Sequence, residues 1–242
     1  MFELFVARRY LRAKRKQVVI SVITVISVIG VAAGVMALVI ALAINNGFRN
    51  TLERDLLSAT APVSIREKEQ GPGIDGWEQI AQKLAKLPHV TSAAPGLYET
   101  GLLSGPVNSE GVVVKGIRTG AGAPLVDTLR HLKSGSIEGL KSQPGERPGI
   151  ILGAALADNL GAVLGKPVQL IIPNGELTPF GAQPSFVRVR VAGIFESGYY
   201  DEDANWAFMS LEDTQKAFDV GDVVNTIELR LDDIYQAPQV AS

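Results

Sequence analysis

Hydrophobic and polar positions divide the chain sharply. From Val18 to Ile44 there are 27 residues without a charged side chain, and the polar ones are Ser21, Thr24 and Ser27. A bilayer core of roughly 30 Å is crossed by about 20 apolar helical residues, so the run predicts a transmembrane helix over 18–44. Beyond it, Phe48, Leu52, Leu56 and Leu57 continue a helical stripe among Arg49, Glu53, Arg54 and Asp55, which predicts an amphipathic stalk over 45–60, ended by Pro62. Before it, Phe2, Leu4, Phe5, Tyr10 and Leu11 alternate with arginines, so residues 1–17 read either as a short interfacial helix or as a disordered basic start.

The pattern then shortens. Strands are predicted over Ala61–Arg66, Val90–Ala94, Leu97–Leu103 and Val112–Ile117, with a helix marked by Trp77, Ile80, Leu84 and Leu87 and another over Leu125–Leu132. A second unit opens at Gly149. It reads as strand Ile150–Leu152, helix Ala154–Leu160 stopped by Gly161, strand Val168–Ile172, and then Phe186–Phe195, where Val187, Val189 and Val191 alternate with Arg188 and Arg190. Strand Trp206–Met209, helix Leu211–Phe218 and strand Thr226–Leu231 complete it. The expected fold class is therefore α+β: one N-terminal transmembrane helix with its stalk, then a mixed α+β domain of two small lobes within 45–242.

Charge gives this plan a direction. Residues 1–44 hold six basic side chains against Glu3 alone, whereas the remainder holds 17 basic and 24 acidic ones. Basic residues flanking the helix start favour the cytoplasmic side, which places the acidic domain outside, in the periplasm of a bacterial inner membrane. The rival reading is a cleaved signal peptide with Ala41–Leu42–Ala43 as its processing site. The apolar run is about twice a signal core of roughly 7–15 residues, which favours a retained helix. With no cysteine there is no disulfide framework, thiolate metal site or cysteine nucleophile. No nucleic-acid partner is expected.

Chemistry is mostly sought without success. Gly161-Ala-Val-Leu-Gly165-Lys166-Pro167 has three residues between its glycines where a phosphate loop needs four, and Pro167 where it needs Ser or Thr, so it reads as a helix cap and turn. Asp201, Asp203, Asn205 and Glu212 fall at calcium-loop positions 1, 3, 5 and 12. Trp206 stands where the loop needs glycine, so a solvated acidic loop is the better reading. His89 and His131 each stand alone beside a helix end and read as surface residues, and Ser104 lacks a nucleophile elbow. The expectation is no enzyme, no metal and no cofactor.

Two features point to partners. Ser27, Gly30, Gly34, Ala37 and Ala41 recur at steps of three and four, stacking small residues on one face of the apolar helix. Such a face lets helix backbones approach closely and predicts packing on other membrane helices, although small residues are also simply common in such helices. Pro173–Ser185, reading PNGELTPFGAQPS, lies between two predicted strands and carries apolar Leu177 and Phe180. A rigid loop with an apolar tip suits docking, unless Phe180 folds back onto its own domain.

Four stretches carry a family resemblance: ARRYLRAKRK at 7–16, GVMALVIALAINNGF at 34–48, GIILGAALADNLG at 149–161 and TPFGAQPSFVRVRVAGIF at 178–195. With these, the chain resembles the permease subunits of bacterial lipoprotein-releasing ABC transporters, the LolC/LolE type within the MacB-like permease group. The resemblance implies a subunit that pairs with a second permease subunit, identical or not, and binds a separate cytoplasmic ATPase. It also implies lipoprotein cargo drawn from the membrane lipid and handed to a periplasmic carrier. In the LolC branch a proline-bounded loop of pattern F-T-P-M-G-x-x-P hooks the carrier. Thr178, Pro179, Gly181 and Pro184 match it, while Leu177 and Phe180 depart from it but keep apolar bulk. Members of the family continue past this length with further membrane helices, so the sequence is expected to be C-terminally truncated. The alternatives are a MacB-like efflux permease subunit, against which the loop argues, and a single-pass membrane-anchored binding or sensor module.

Overall fold

The apolar run folds as one helix, α1 (Gln17–Leu56), within a computed structural model that describes residues 17–56, 61–67, 73–120, 126–130, 132–141, 145–173, 177–178 and 181–241. Its stretch Val22–Phe48, 27 residues at mean hydropathy 2.8, is long and apolar enough to cross a membrane. Side chains such as Ile26, Val31 and Met36 are more than half exposed, so no protein core covers them, as suits a helix solvated by lipid. The predicted stalk is helical as far as Leu56, and the predicted interfacial segment lies outside the described residues. Residues 1–53 form one compact unit and 54–242 another, and each is described by itself.

The second unit is built on β1 (Val63–Arg66), β2 (Val90–Ser104), β3 (Ser109–Ile117), β4 (Leu132–Gly135), β5 (Gly149–Gly153), β6 (Pro167–Ile172), β7 (Leu177–Thr178), β8 (Gly181–Ala182), β9 (Ser185–Phe195), β10 (Trp206–Ser210) and β11 (Thr226–Leu231). Helices α2 (Trp77–Leu84), α3 (Ala154–Leu160), α4 (Tyr200–Asn205), α5 (Leu211–Phe218) and α6 (Ala237–Val240) connect them. Nine strands form one mixed sheet in the order β1-β11-β2-β3-β10-β5-β9-β4, with β6 pairing β2 and β9. The α+β class stands, and the two expected lobes meet in this single sheet. The reason is β10, which comes from the second half yet pairs parallel with β3 of the first and antiparallel with β5.

Alternation of side chains sorts the sheet into faces. On one face Leu103, Val114, Leu170, Val189, Val191 and Met209 bury against Leu156 and Leu160 of α3, while Leu97, Ile227 and Leu229 bury with Trp77 and Ala81 of α2. On the other, Ile151, Phe195 and Phe208 bury under the 3-10 turns Asp127–Arg130 and Ile137–Leu140.

Two local expectations change. The strands foreseen at Val90–Ala94 and Leu97–Leu103 are one strand, because Pro95 lies in the half of β2 paired only with β11, where a proline without an N–H is tolerated. The helix foreseen at Leu125–Leu132 is only the turn Asp127–Arg130, since Leu132 already begins β4, pairing with Phe195. Residues 125 and 131 lie outside the described residues.

Candidate functional site: a hairpin ribbon and a buried charge cluster

β6 and β9 run antiparallel, and Ile172 pairs with Ser185, so the segment between them leaves and re-enters the sheet at one place. Within it Leu177 pairs with Ala182 and Thr178 with Gly181, a two-stranded ribbon of its own rather than the irregular loop expected. Only two residues, Pro179 and Phe180, connect the paired positions, and both lie outside the described residues. Short connections of this length are what join tight hairpins. Pro184 is exposed on the return limb. At the base of the ribbon Phe186 is 60% exposed, the first residue on the outer face of β9. Across the strands it pairs with Ile171, which in turn pairs with Leu102, so an apolar row runs beneath the ribbon.

The small residues of α1 sit as foreseen within the helix. Ser27, Gly30, Gly34, Ala37 and Ala41 are all exposed.

A second cluster, on the sheet face opposite α2, has no counterpart in any local sequence pattern. Lys115 of β3 is 1% exposed and its Nζ stands 2.7 Å from Glu228 Oε1 and 3.0 Å from Oε2. The Tyr98 hydroxyl donates to the same carboxylate, and Lys115 lies 5.0 Å from the centre of the Tyr98 ring. Trp206 packs edge-on against Tyr98, with ring centres 5.8 Å apart. Burial pushes the Tyr98 hydroxyl above its ordinary pKa, and the Glu228 charge and hydrogen bond push it further. Burial lowers the Lys115 pKa, and the Glu228 charge opposes that shift. These three positions lie too far apart in sequence for any local pattern to join them.

A third feature is a cleft of about 560 Å³ between α2 and α5, lined among others by Trp77, Arg118, Lys141, Glu212, Lys216 and Asp222. Two pairs of its polar groups engage one another. Arg118 pairs with Glu78 at 3.1 Å, and Trp77 Nε1 donates to Asp222 Oδ1 at 3.3 Å.

The chemical candidates resolve as structure. Gly161 has φ +64 and caps α3, while Ala162 N donates to Ala157 O at 2.8 Å, so the glycine run ends a helix. The acidic segment is not a solvated loop but α4. Asp203 is 7% exposed and accepts from Ser197 N at 2.8 Å and Ser197 Oγ at 2.9 Å, and Asn205 Nδ2 donates to Asp201 O. Glu212 belongs to the first turn of α5. His89 is a surface residue as expected, with Nδ1 3.3 Å from Asp232 Oδ1, and His131 lies outside the described residues. Ser104 ends β2 and accepts from Ser109 Oγ at 2.9 Å. Among the described residues no group of three or more His, Asp or Glu could hold a metal ion.

The family model of the MacB-like periplasmic core domain matches residues 24–242. The chain belongs to that family. Among its relatives is the lipoprotein-releasing system transmembrane protein LolC of Xylella fastidiosa strain Temecula1, 35% identical over 97% of this chain and 55% of that protein. LolC of Neisseria meningitidis serogroup B is 30% identical over 99% of this chain and 57% of that protein. LolE of Haemophilus influenzae is 26% identical over 96% and 56%. The chain thus spans about half the length of the curated relatives it matches. Among solved structures, the extracellular domain of the ABC-type transporter YknZ from Gram-positive bacteria aligns at TM-score 0.47 and 14% identity, covering 73% of this chain and 86% of that one. In this MacB-like domain the ribbon Leu177–Ala182 is an excursion from the main sheet, and the Lys115–Glu228 pair is part of the sheet itself.

Proposed function

We propose that this protein is the transmembrane permease subunit of an ABC transporter that extracts lipoproteins from the inner membrane and hands them to a periplasmic carrier. The observation that carries the reading is likeness to LolC extending over nearly the whole chain, apolar helix and outer domain together. In it, α1 crosses the inner membrane with the basic N-terminus in the cytoplasm and the acidic domain in the periplasm. The face of Ser27, Gly30, Gly34, Ala37 and Ala41 packs on helices of a second permease subunit and parts to admit the lipid-modified cargo. ATP is hydrolysed by a separate cytoplasmic subunit, and this chain performs no chemistry.

The ribbon is the carrier-docking element, with Leu177, Thr178, Pro179, Phe180, Gly181 and Pro184 as its contacts. Its support is geometric: Leu177 pairs with Ala182 and Thr178 with Gly181 in a two-stranded ribbon separate from the main sheet. Docking energy concentrates in a few anchor residues, each worth about 2 kcal/mol or more, so one residue decides the contact. In the assembled transporter, site-specific crosslinking from the ribbon to the carrier tests it. Phe180→Asp, or deletion of Leu177–Gly181, is expected to abolish the crosslink while the outer domain stays folded. An undiminished crosslink in a folded variant would falsify the docking role.

A further inference from the structure

β2 is the strand that changes neighbours. Its residues 90–96 pair with β11, 96–104 pair with β3 on the other edge, and 102–104 pair with β6. The cores divide along the same line: Val63, Trp77, Ile227 and Leu229 gather around β1, β11 and α2, while Val114, Leu170, Val189 and Met209 gather beyond it. A seam therefore crosses the sheet near Gly96, between a β1–β11 half and a β3–β10 half. Strand pairing is thin there, since β11 begins at Thr226, opposite Gly96. Beyond that point the Asn225 side chain takes over the ladder. Its Oδ1 accepts from Tyr98 N at 2.9 Å and its Nδ2 donates to Tyr98 O at 2.7 Å.

The Lys115, Tyr98 and Glu228 cluster lies across this seam, with one member from each of β3, β2 and β11. Gly96 makes room for it, because a Cβ there would stand 3.2 Å from Tyr98 Cε2 and 3.5 Å from Glu228 Oε1. A buried ion pair is no stronger a source of stability than apolar side chains of the same size. What it adds is one defined geometry, because any displacement leaves a charge without its partner. Position and chemistry therefore agree.

We propose that Lys115, Tyr98 and Glu228 form a lock across the β2 seam that makes the two halves of the sheet one rigid body, so that a displacement of β11 is carried through β2 to β6 and the base of the ribbon. The lock is independent of what the ribbon binds, and its test does not involve the carrier. The chain has no cysteine, so paired spin labels at Ser64→Cys and Asn108→Cys, on exposed positions of the two halves, are free of background. In the full chain held in detergent, the distance distribution between the labels is expected to be narrow. Tyr98→Phe is expected to broaden it, and Lys115→Met at least to double its width. Hydrogen exchange on the same variants is expected to rise about tenfold in β1 and β11 while β5 and β9 keep their protection. If Lys115→Met fails to fold, the mild Tyr98→Phe change carries the test. Distributions as narrow as that of the starting chain, or exchange rising equally in every strand, would overturn the lock and leave an ordinary buried pair.

Discussion

The ribbon at Leu177–Ala182 and the cluster at Lys115, Tyr98 and Glu228 stand at opposite extremes of the sheet, the one paired outside it and the other buried within it. The ribbon lies outside the main sheet, held by pairing between its own two limbs, Leu177 with Ala182 and Thr178 with Gly181. The cluster carries charge into the interior, where three strands supply its partners. On the proposed docking role, removing a residue from the first deletes a contact to the carrier. Removing one from the second leaves a buried group exposed to its neighbours' low polarity. The same substitution logic therefore predicts loss of binding at one place and loss of structure at the other.

The largest effect expected is on stability. Lys115→Met keeps the volume of the side chain but leaves the Glu228 carboxylate, 12% exposed, without its cation, a loss of about 3 kcal/mol. Denaturant unfolding of the outer domain in the full chain measures it. Lys115→Met with Glu228→Leu is expected to recover part of that loss, since the Glu228 carboxylate is then no longer stranded. A double variant as unstable as the single one would mean that packing, not charge, holds the site. The ribbon supplies the contrast: deletion of Leu177–Gly181 is expected to change the unfolding free energy by no more than about 0.5 kcal/mol, while removing the carrier crosslink.

These two places also differ in how far the sequence showed them. The segment around the ribbon stood out because its prolines, glycines and apolar pair are contiguous, though its pairing as a separate hairpin did not. Helix α3 and its stop at Gly161 were legible for the same local reason, as was β9, whose valines and arginines alternate strictly. The Lys115–Glu228 pair spans 113 residues and announces itself by no motif, because a buried lysine in Val-Val-Val-Lys reads as the end of a strand. Asp203 reads as a solvated acid because it stands in a run of polar residues, although its partner Ser197 is only six residues away. Only the fold brings Ser197 to it and turns a polar stretch into the buried end of α4. Pairing partners, and hence which charges are interior, belong to the sheet topology that joined the two expected lobes.

A smaller effect separates local capping from the long-range lock. Ser210 caps α5, accepting from Asp213 N at 3.1 Å and donating from its hydroxyl to Asp213 Oδ2 at 2.6 Å. Ser210→Ala is expected to cost about 1 kcal/mol, as loss of a helix cap does. The loss should leave the distance between labels at Ser64 and Asn108 unchanged, because α5 keeps its place through Leu211 and Thr214, both buried. A cap variant that loosened the two halves as much as Tyr98→Phe would show that the seam responds to any destabilisation, and the distinction between cap and lock would fall.

The smallest effect is a pH dependence at Glu99, one residue beyond Tyr98 and on the opposite face of β2. Its carboxyl is half-buried, and desolvation raises its pKa above the ordinary carboxylate value. The sign follows from proton binding. Between the ordinary and the raised value the folded chain holds a proton that the unfolded chain has lost, so stability falls as pH rises through that window and stays reduced above it. Glu99→Gln carries no charge to desolvate and should remove that slope, making the variant more stable than the parent at neutral pH and equal to it in acid. Solvent screening keeps the gain well below that of the buried pair. Thermal unfolding of both chains across the acidic range measures it. A parent whose stability rises with pH through that window would place the controlling group at another carboxylate, one held ionised in the fold rather than desolvated.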